Sequence, residues 1–152
     1  MFRGVANLNL DAKGRMAMPS RHRERLIESC AGQLVITIDR DPCLLIFPLP
    51  EWEQVERKLM QLPNLNKTAR SLQRLYLGHA HEVDLDGQGR MLLPTPLREV
   101  AGLGKRVVLI GQGNKFELWD EEAWTRHRDQ WLEEARGSDG DELSDSLGSF
   151  SL

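Results

Sequence analysis

The stretch LDAKGRMAMPSRHRE at 10–24 returns as LDGQGRMLLPTPLRE at 85–99. Setting residue i against residue i+75 pairs Leu10 with Leu85, Asp11 with Asp86, Gly14 with Gly89, Arg15 with Arg90, Met16 with Met91 and Pro19 with Pro94; Arg23 and Glu24 likewise meet Arg98 and Glu99. A match that mixes charged, glycine, apolar and proline positions marks an internal duplication, and that duplication constrains the fold more than any single motif. A chain of 152 residues holds one ordinary domain or two small modules sharing a core. Each copy alone is too small to bury a core, so the second copy is expected to complete the first.

Both copies read in the same order. VANLNL at 5–10 alternates as a strand does, DAKG turns, and the strand resumes at RMAMP. Ser20 is expected to N-cap a short helix running to about Ser29; in the second copy Thr95 is expected to cap, with Pro96 at the first helical position. The apolar, β-branched runs QLVITI at 33–38 and CLLIFP at 43–48 follow, split by the turn DRDP. Their counterparts are KRVVLIG at 105–111 and KFELW at 115–119, split by QGN. Between the copies, Trp52, Val55, Leu59 and Leu62 fall at helical spacing up to Pro63, and a second helix from Asn66 to about Leu77 carries Ala69, Leu72, Leu75 and Tyr76 on one side. After Asp120, which can cap, Trp124, Trp131 and Leu132 mark a C-terminal helix. The expected fold is mixed, mainly β with helices: repeat units at 5–52 and 81–124, a helical connector at 53–80, a helix at 125–136, and an acidic, mobile tail at 137–152.

The net charge of −3, taken as an average, disfavours a nucleic-acid partner, but it is unevenly spread. Residues 129–152 hold one basic residue, Arg136, against seven acidic ones, a balance of −6 that leaves +3 on residues 1–128. Residues 1–25 alone carry Arg3, Lys13, Arg15, Arg21, Arg23 and Arg25 against Asp11 and Glu24, a local balance of +4. A basic N-terminal module is therefore masked by an acidic C-terminal tail. No apolar run approaches the roughly 20 residues of a membrane span, and the opening MFRGVANLNLD lacks a signal-peptide core, so a cytoplasmic protein without a membrane partner is expected. Cys30 and Cys43 lack metal or disulfide spacing and are read as packing residues of a reducing compartment.

A pair of β-rich units with D-x-x-G-R turns resembles the SpoVT/AbrB family of DNA-binding modules. Two such units in one chain, opening MFRG and carrying D-A-K-G-R at 11–15 and D-G-Q-G-R at 86–90, resemble the MraZ family of bacterial transcriptional regulators. The likeness extends through PLPEW at 48–52, LGHAHEVDLDGQGR at 77–90 and NKFELWD at 114–120. It implies two tandem swapped-hairpin units closing one pseudo-twofold β-barrel. It also implies a nucleoid-associated homo-oligomeric ring that binds short direct repeats in double-stranded DNA, typically upstream of its own operon of division and cell-wall genes and most often as a repressor.

On this reading Arg15 contacts DNA from an exposed turn, where a guanidinium can grip phosphate or reach guanine edges. The plainer reading is a structural Asp11–Arg15 pair. Lys13, Arg3, Arg21 and Arg23 extend the basic surface, although each taken singly is more often just solvated. Asp11, Gly14, Asp86, Gly89 and Arg90 are expected to build the turns, with Asp accepting N–H bonds and orienting Arg while Gly lets the chain reverse. The second copy has Gln88 for Lys13 and Pro96 for Arg21, with Glu82 and Asp84 nearby, so the first copy is expected to be the principal DNA contact.

Competing chemistries are weaker. D-L-D-G-Q-G at 84–89 resembles the start of a calcium loop, but the twelfth position is Thr95 rather than a bidentate Glu. His79 and His81 are spaced to share a strand face and lack a third ligand. No nucleophile elbow, phosphate-binding glycine loop or Cys–His spacing appears, so neither an enzyme with a small-molecule substrate nor a cofactor is expected. Trp52, Trp119, Trp124 and Trp131 are read as core or interface residues. The alternative function class is a structural or protein-interaction scaffold whose basic surface is incidental.

Overall fold

The computed structural model describes residues 1–137; of the expected mobile tail at 137–152, Gly137 ends the last helix and the rest lies outside the described residues. The elements run β1 (Phe2–Asn9), β2 (Arg15–Ala17), α1 (Ser20–Cys30), β3 (Gln33–Ile38), β4 (Cys43–Pro48), α2 (Leu49–Met60) and α3 (Lys67–Tyr76). They continue with β5 (His81–Asp84), β6 (Arg90–Leu92), α4 (Thr95–Val100), β7 (Arg106–Gly113), β8 (Phe116–Asp120) and α5 (Glu121–Gly137). The first repeat and the second as far as Glu121 fall within one compact unit, Met1–Glu121, and the last residues of the expected second repeat, 122–124, belong to a second unit that begins at Glu122.

The copies interlock strand by strand. β1 of the first copy pairs antiparallel with β7 of the second from Phe2↔Gly113 to Asn9↔Arg106, while β5 of the second pairs with β3 of the first from Gln33↔Asp84 to Ile36↔His81. β4 and β8 meet at Cys43↔Trp119 through Ile46↔Phe116, and β2 and β6 at Arg15↔Leu92 through Ala17↔Arg90. Neither copy's first strand pairs mainly within its own copy, which is the physical content of the duplication.

Among the described residues the strands do not close into the expected barrel. They form a six-stranded sheet in the order β1-β7-β8-β4-β3-β5 and a separate β2-β6 ribbon. Closure requires every strand to be paired on both sides. Here the turns after Leu10 and Leu85 divert the chain into β2 and β6, which have three residues each and pair with one another, so β1 and β5 remain sheet edges.

The inner face of the sheet packs a single apolar cluster drawn from both copies, including Met16, Leu34, Ile36, Leu44, Met91, Leu109, Phe116 and Leu118. Alternation along the strands sends Val35, Thr37, Leu45 and Phe47 to the opposite face, and they too are buried. Burial on both faces explains why β3 and β4 read as unbroken apolar runs rather than alternating ones. The connector helices cover this second face: Phe47 lies 5.5 Å from Trp52, Thr37 Oγ1 donates to the Tyr76 carbonyl at 2.6 Å, and Tyr76 Oη donates to Asp39 Oδ1 at 3.1 Å. Gln73 Nε2 ties α3 to α2 through the Leu59 carbonyl at 2.9 Å. In the second unit, Trp124 and Trp131 stack edge to face on α5 at 5.6 Å.

Helix starts differ from expectation in two places. Ser20 and Thr95 are the first helical residues, and the N-cap positions belong to Pro19 and Pro94, whose φ of −53° and −58° leads directly into the helix. Neither side chain caps; Thr95 Oγ1 accepts from Arg98 Nη2 at 2.9 Å. Asp120 Oδ1 accepts from the Gly104 N–H at 2.9 Å, binding a neighbouring loop. Asn66 does cap α3, accepting from the Thr68 and Ala69 N–H groups.

Candidate nucleic-acid interface

Each D-x-x-G-R segment folds into the same hydrogen-bonded loop. Asp11 Oδ1 accepts from the Lys13 and Arg15 N–H groups, both at 2.9 Å, and Asp11 Oδ2 accepts from Arg15 Nε at 2.6 Å. The Gly14 N–H donates to the Asp11 carbonyl at 3.0 Å, and the Asp11 N–H to the Arg15 carbonyl at 3.0 Å. In the second copy Asp86 accepts from the Gln88 and Arg90 N–H groups at 2.9 Å and from Arg90 Nε at 3.0 Å. These donors favour the ionised carboxylate. The Arg15 N–H, offset partly by desolvation and reinforced by the Arg15 side chain, brings the Asp11 pKa down to about 2. The Arg90 N–H leads the same lowering at Asp86.

Both glycines sit at positive φ, +81° at Gly14 and +74° at Gly89, where a side chain is strained. Each is also covered by an arginine from the other copy. A Cβ at Gly14 would lie 2.6 Å from Arg98 Cζ, and one at Gly89 would collide with the Arg23 side chain. Arg23 Nη1 donates to the Gln88 carbonyl at 2.9 Å, while Arg98 Nε reaches the Leu93 carbonyl at 3.2 Å. Backbone bonds cross in the same reciprocal sense, Met18 N–H to the Gly89 carbonyl and Leu93 N–H to the Gly14 carbonyl. The repeated Arg23/Arg98 pair of the sequence is thus what seats one turn on the other copy.

The β2–β6 ribbon then sets which way the turn arginines face. Met16 and Met91 oppose each other and are fully buried, so their neighbours Arg15, Ala17, Arg90 and Leu92 share the outer face. Arg15 and Arg90 spend Nε on their aspartates, and their Nη nitrogens have no hydrogen-bond partner among the described residues. Two oriented guanidinium forks on a narrow ribbon, flanked by Leu92 at 54% exposure, can grip phosphates or reach base edges.

The expected basic set therefore divides. Arg15 and exposed Lys13 belong to the first turn, and Arg90 to the second. Arg23 holds the second turn from below. Arg3 and Arg21 are gathered elsewhere, lining a cavity with Arg25 and His22. Sequence comparison of the copies singled out Lys13 and Arg21 but passed over the seating role of Arg98 and the part played by His22, which is buried beside Phe2 and Phe116. Burial, then the charges of Arg21 and Arg25, push the His22 pKa down.

His79 and His81 do not share a strand face: His79 precedes β5, with Nδ1 2.9 Å from the Leu75 carbonyl at the end of α3. Asp39, Cys43 and Glu117 bring possible ligand atoms within 4.8 Å of one another. Their chemistry suits packing better. Tyr76 and Trp119 already donate to the two carboxylates, and burial with neighbouring acids pushes the Cys43 thiol up, away from the thiolate a metal needs.

The family model described as MraZ protein matches this chain twice, over residues 1–75 and 76–143. A protein named transcriptional regulator MraZ from Thioalkalivibrio sulfidiphilus is 68% identical over 134 residues, covering 88% of this chain and 89% of that protein. Proteins of the same name from Halorhodospira halophila and Methylococcus capsulatus are 61% and 59% identical, each over the full length of both chains. With the duplicated turns, their reciprocal seating and these matches in both halves, the chain belongs to the MraZ family.

Proposed function

We propose that this protein is a transcriptional regulator, not an enzyme, which binds specific double-stranded DNA through the outer face of the β2–β6 ribbon. The observation that carries the reading is the pair of Asp-braced arginines whose Nη forks face outward from one ribbon. Relatives named as transcriptional regulators support it. The first turn makes the principal contact, because Lys13 stands where the second turn has Gln88, and β5 places Glu82 and Asp84 before the second turn. Arg15 and Lys13 contact DNA, Arg3 and Arg21 add positive charge, and Arg23 acts by holding the second turn. Asp11, Gly14, Asp86 and Gly89 keep both forks in place.

The finer reading is a repressor that acts as a homo-oligomeric ring on short direct repeats upstream of its own division and cell-wall gene cluster. The two repeats of each chain complete a swapped pseudo-twofold unit, and a ring of such units presents several ribbons at once. Weak single contacts then gain through effective concentration. Duplexes carrying one, two or three repeats test this by band shift at several salt concentrations. The account predicts a steep gain in affinity with repeat number and a steep loss with salt. Equal affinity for one repeat and for three refutes the multivalent ring.

A further inference from the structure

One side of the first repeat carries positive charge that no carboxylate among the described residues neutralises. Arg3 on β1, with Arg21 and Arg25 on α1, lines a cavity of about 310 Å3 together with His22. None of the three arginines appears in an ion pair with a described residue. Arg25 Nη1 donates to the Met1 carbonyl at 2.7 Å, and Arg21 Nε to His22 Nε2 at 3.3 Å, leaving the remaining guanidinium nitrogens without protein acceptors among the described residues. The place of Arg21 is built in: Gly4 on β1 lies beneath it, and a Cβ there would come within 3.0 Å of Nη2.

His22 supplies an independent observation in the same wall. It is 4% exposed, and its ring stands edge-on to Phe2 at 5.7 Å and to Phe116 at 5.0 Å. Because Nε2 accepts from Arg21, the neutral ring carries its proton on Nδ1, and Nδ1 has no hydrogen-bond partner among the described residues. Buried donors in folded proteins are nearly always satisfied, so this unpartnered N–H, in a residue that lines a cavity walled by three guanidiniums, leaves that wall short of an acceptor among the described residues.

We propose that this cavity is a seat for a phosphoryl group, with Arg3, Arg21 and Arg25 gripping its oxygens against the wall formed by His22. Planar guanidiniums match the tetrahedral oxygens of phosphate and bind them in bidentate fashion. The volume exceeds that of a lone phosphate, which leaves room for the group to arrive as part of a larger molecule. That molecule is either a nucleic-acid backbone or a small phosphorylated compound. The seat goes beyond the ribbon reading and does not depend on Arg15.

Pyrophosphate titrated into the full chain, followed by amide and imidazole NMR shifts, tests the seat. Wild type and Arg15→Ala are expected to give the same saturable shifts at Arg21 and His22. The Arg3→Gln/Arg21→Gln double variant, its fold checked by unchanged shifts elsewhere, is expected to bind about tenfold more weakly or worse. Repeating the titration with duplex DNA present separates the sources: lost pyrophosphate shifts assign the seat to the DNA backbone, and retained shifts assign it to a free phosphorylated molecule. No shifts in wild type, or equal binding by the double variant, overturns the seat. Undiminished DNA binding by Arg15→Ala counts against the ribbon reading alone.

Discussion

Replacing Gly89 by alanine probes the reciprocal seating of the turns. Two costs arise at this position. A non-glycine residue at φ +74° pays about 1–2 kcal/mol in the left-handed region. The added methyl also collides with the Arg23 side chain and breaks the bond from Arg23 Nη1 to the Gln88 carbonyl, worth about 1 kcal/mol at an exposed site. Gly89→Ala should therefore destabilise the protein by about 2–3 kcal/mol. In an Arg23→Ala background only the backbone cost remains, about 1–2 kcal/mol, giving a coupling energy of about 1 kcal/mol. Gly87 is the internal control: it stands two residues away in the same turn, a Cβ there meets nothing within 4 Å, and Gly87→Ala should change stability by less than about 0.5 kcal/mol. Urea unfolding followed by tryptophan fluorescence gives all four values, provided the slope with denaturant is unchanged. Equal costs of Gly89→Ala with and without Arg23, within about 0.3 kcal/mol, would refute the claim that Arg23 seats the second turn.

Asp11 titrates below its ordinary value, at about 2 rather than 3.8, so its braced turn contributes stability above the unfolded pKa. That contribution is lost as pH falls from about 4 through about 2; carboxyl NMR should locate the titration, and Asp11→Asn should remove this part of the acid sensitivity. Thr37 is fully buried and donates to the half-buried Tyr76 carbonyl, so Thr37→Val should cost about 0.5–1.5 kcal/mol in the same unfolding assay. Cys43 is 1% exposed with its thiol pushed up, whereas Cys30 is only partly buried. Mass mapping after brief treatment with a thiol reagent should find Cys30 modified first and Cys43 only after unfolding; equal rates would contradict the packing.

The duplication made much of this molecule legible. The runs QLVITI and CLLIFP coincide with β3 and β4 because their composition leaves little besides a strand buried on both faces. The D-x-x-G-R turns announce themselves through Asp, Gly and Arg at spacings that a local hydrogen-bonded loop demands. What distant pairing decides was not legible. Nothing local in VANLNL states that its partner is β7 in the other copy, nor that β1 and β5 stay unpaired on their outer edges. The helix starts misled for a local reason: Ser20 and Thr95 are good capping residues, yet each follows a proline that already supplies the entry conformation. The basic residues of 1–25 formed one group in sequence but serve three places in space, because Arg23 faces the second turn while Arg3 and Arg21 converge on His22.

The outward forks of the β2–β6 ribbon are proposed to read DNA, with the first turn dominant. Band-shift affinity for DNA from upstream of the protein's own gene tests it most directly, comparing wild type with Arg15→Ala and Arg90→Ala at matched salt and oligomeric state. Arg15→Ala should weaken binding by about tenfold or more, as loss of a bidentate contact implies, with a smaller loss for Arg90→Ala. Wild-type affinity in Arg15→Ala, with oligomeric state unchanged, would contradict it.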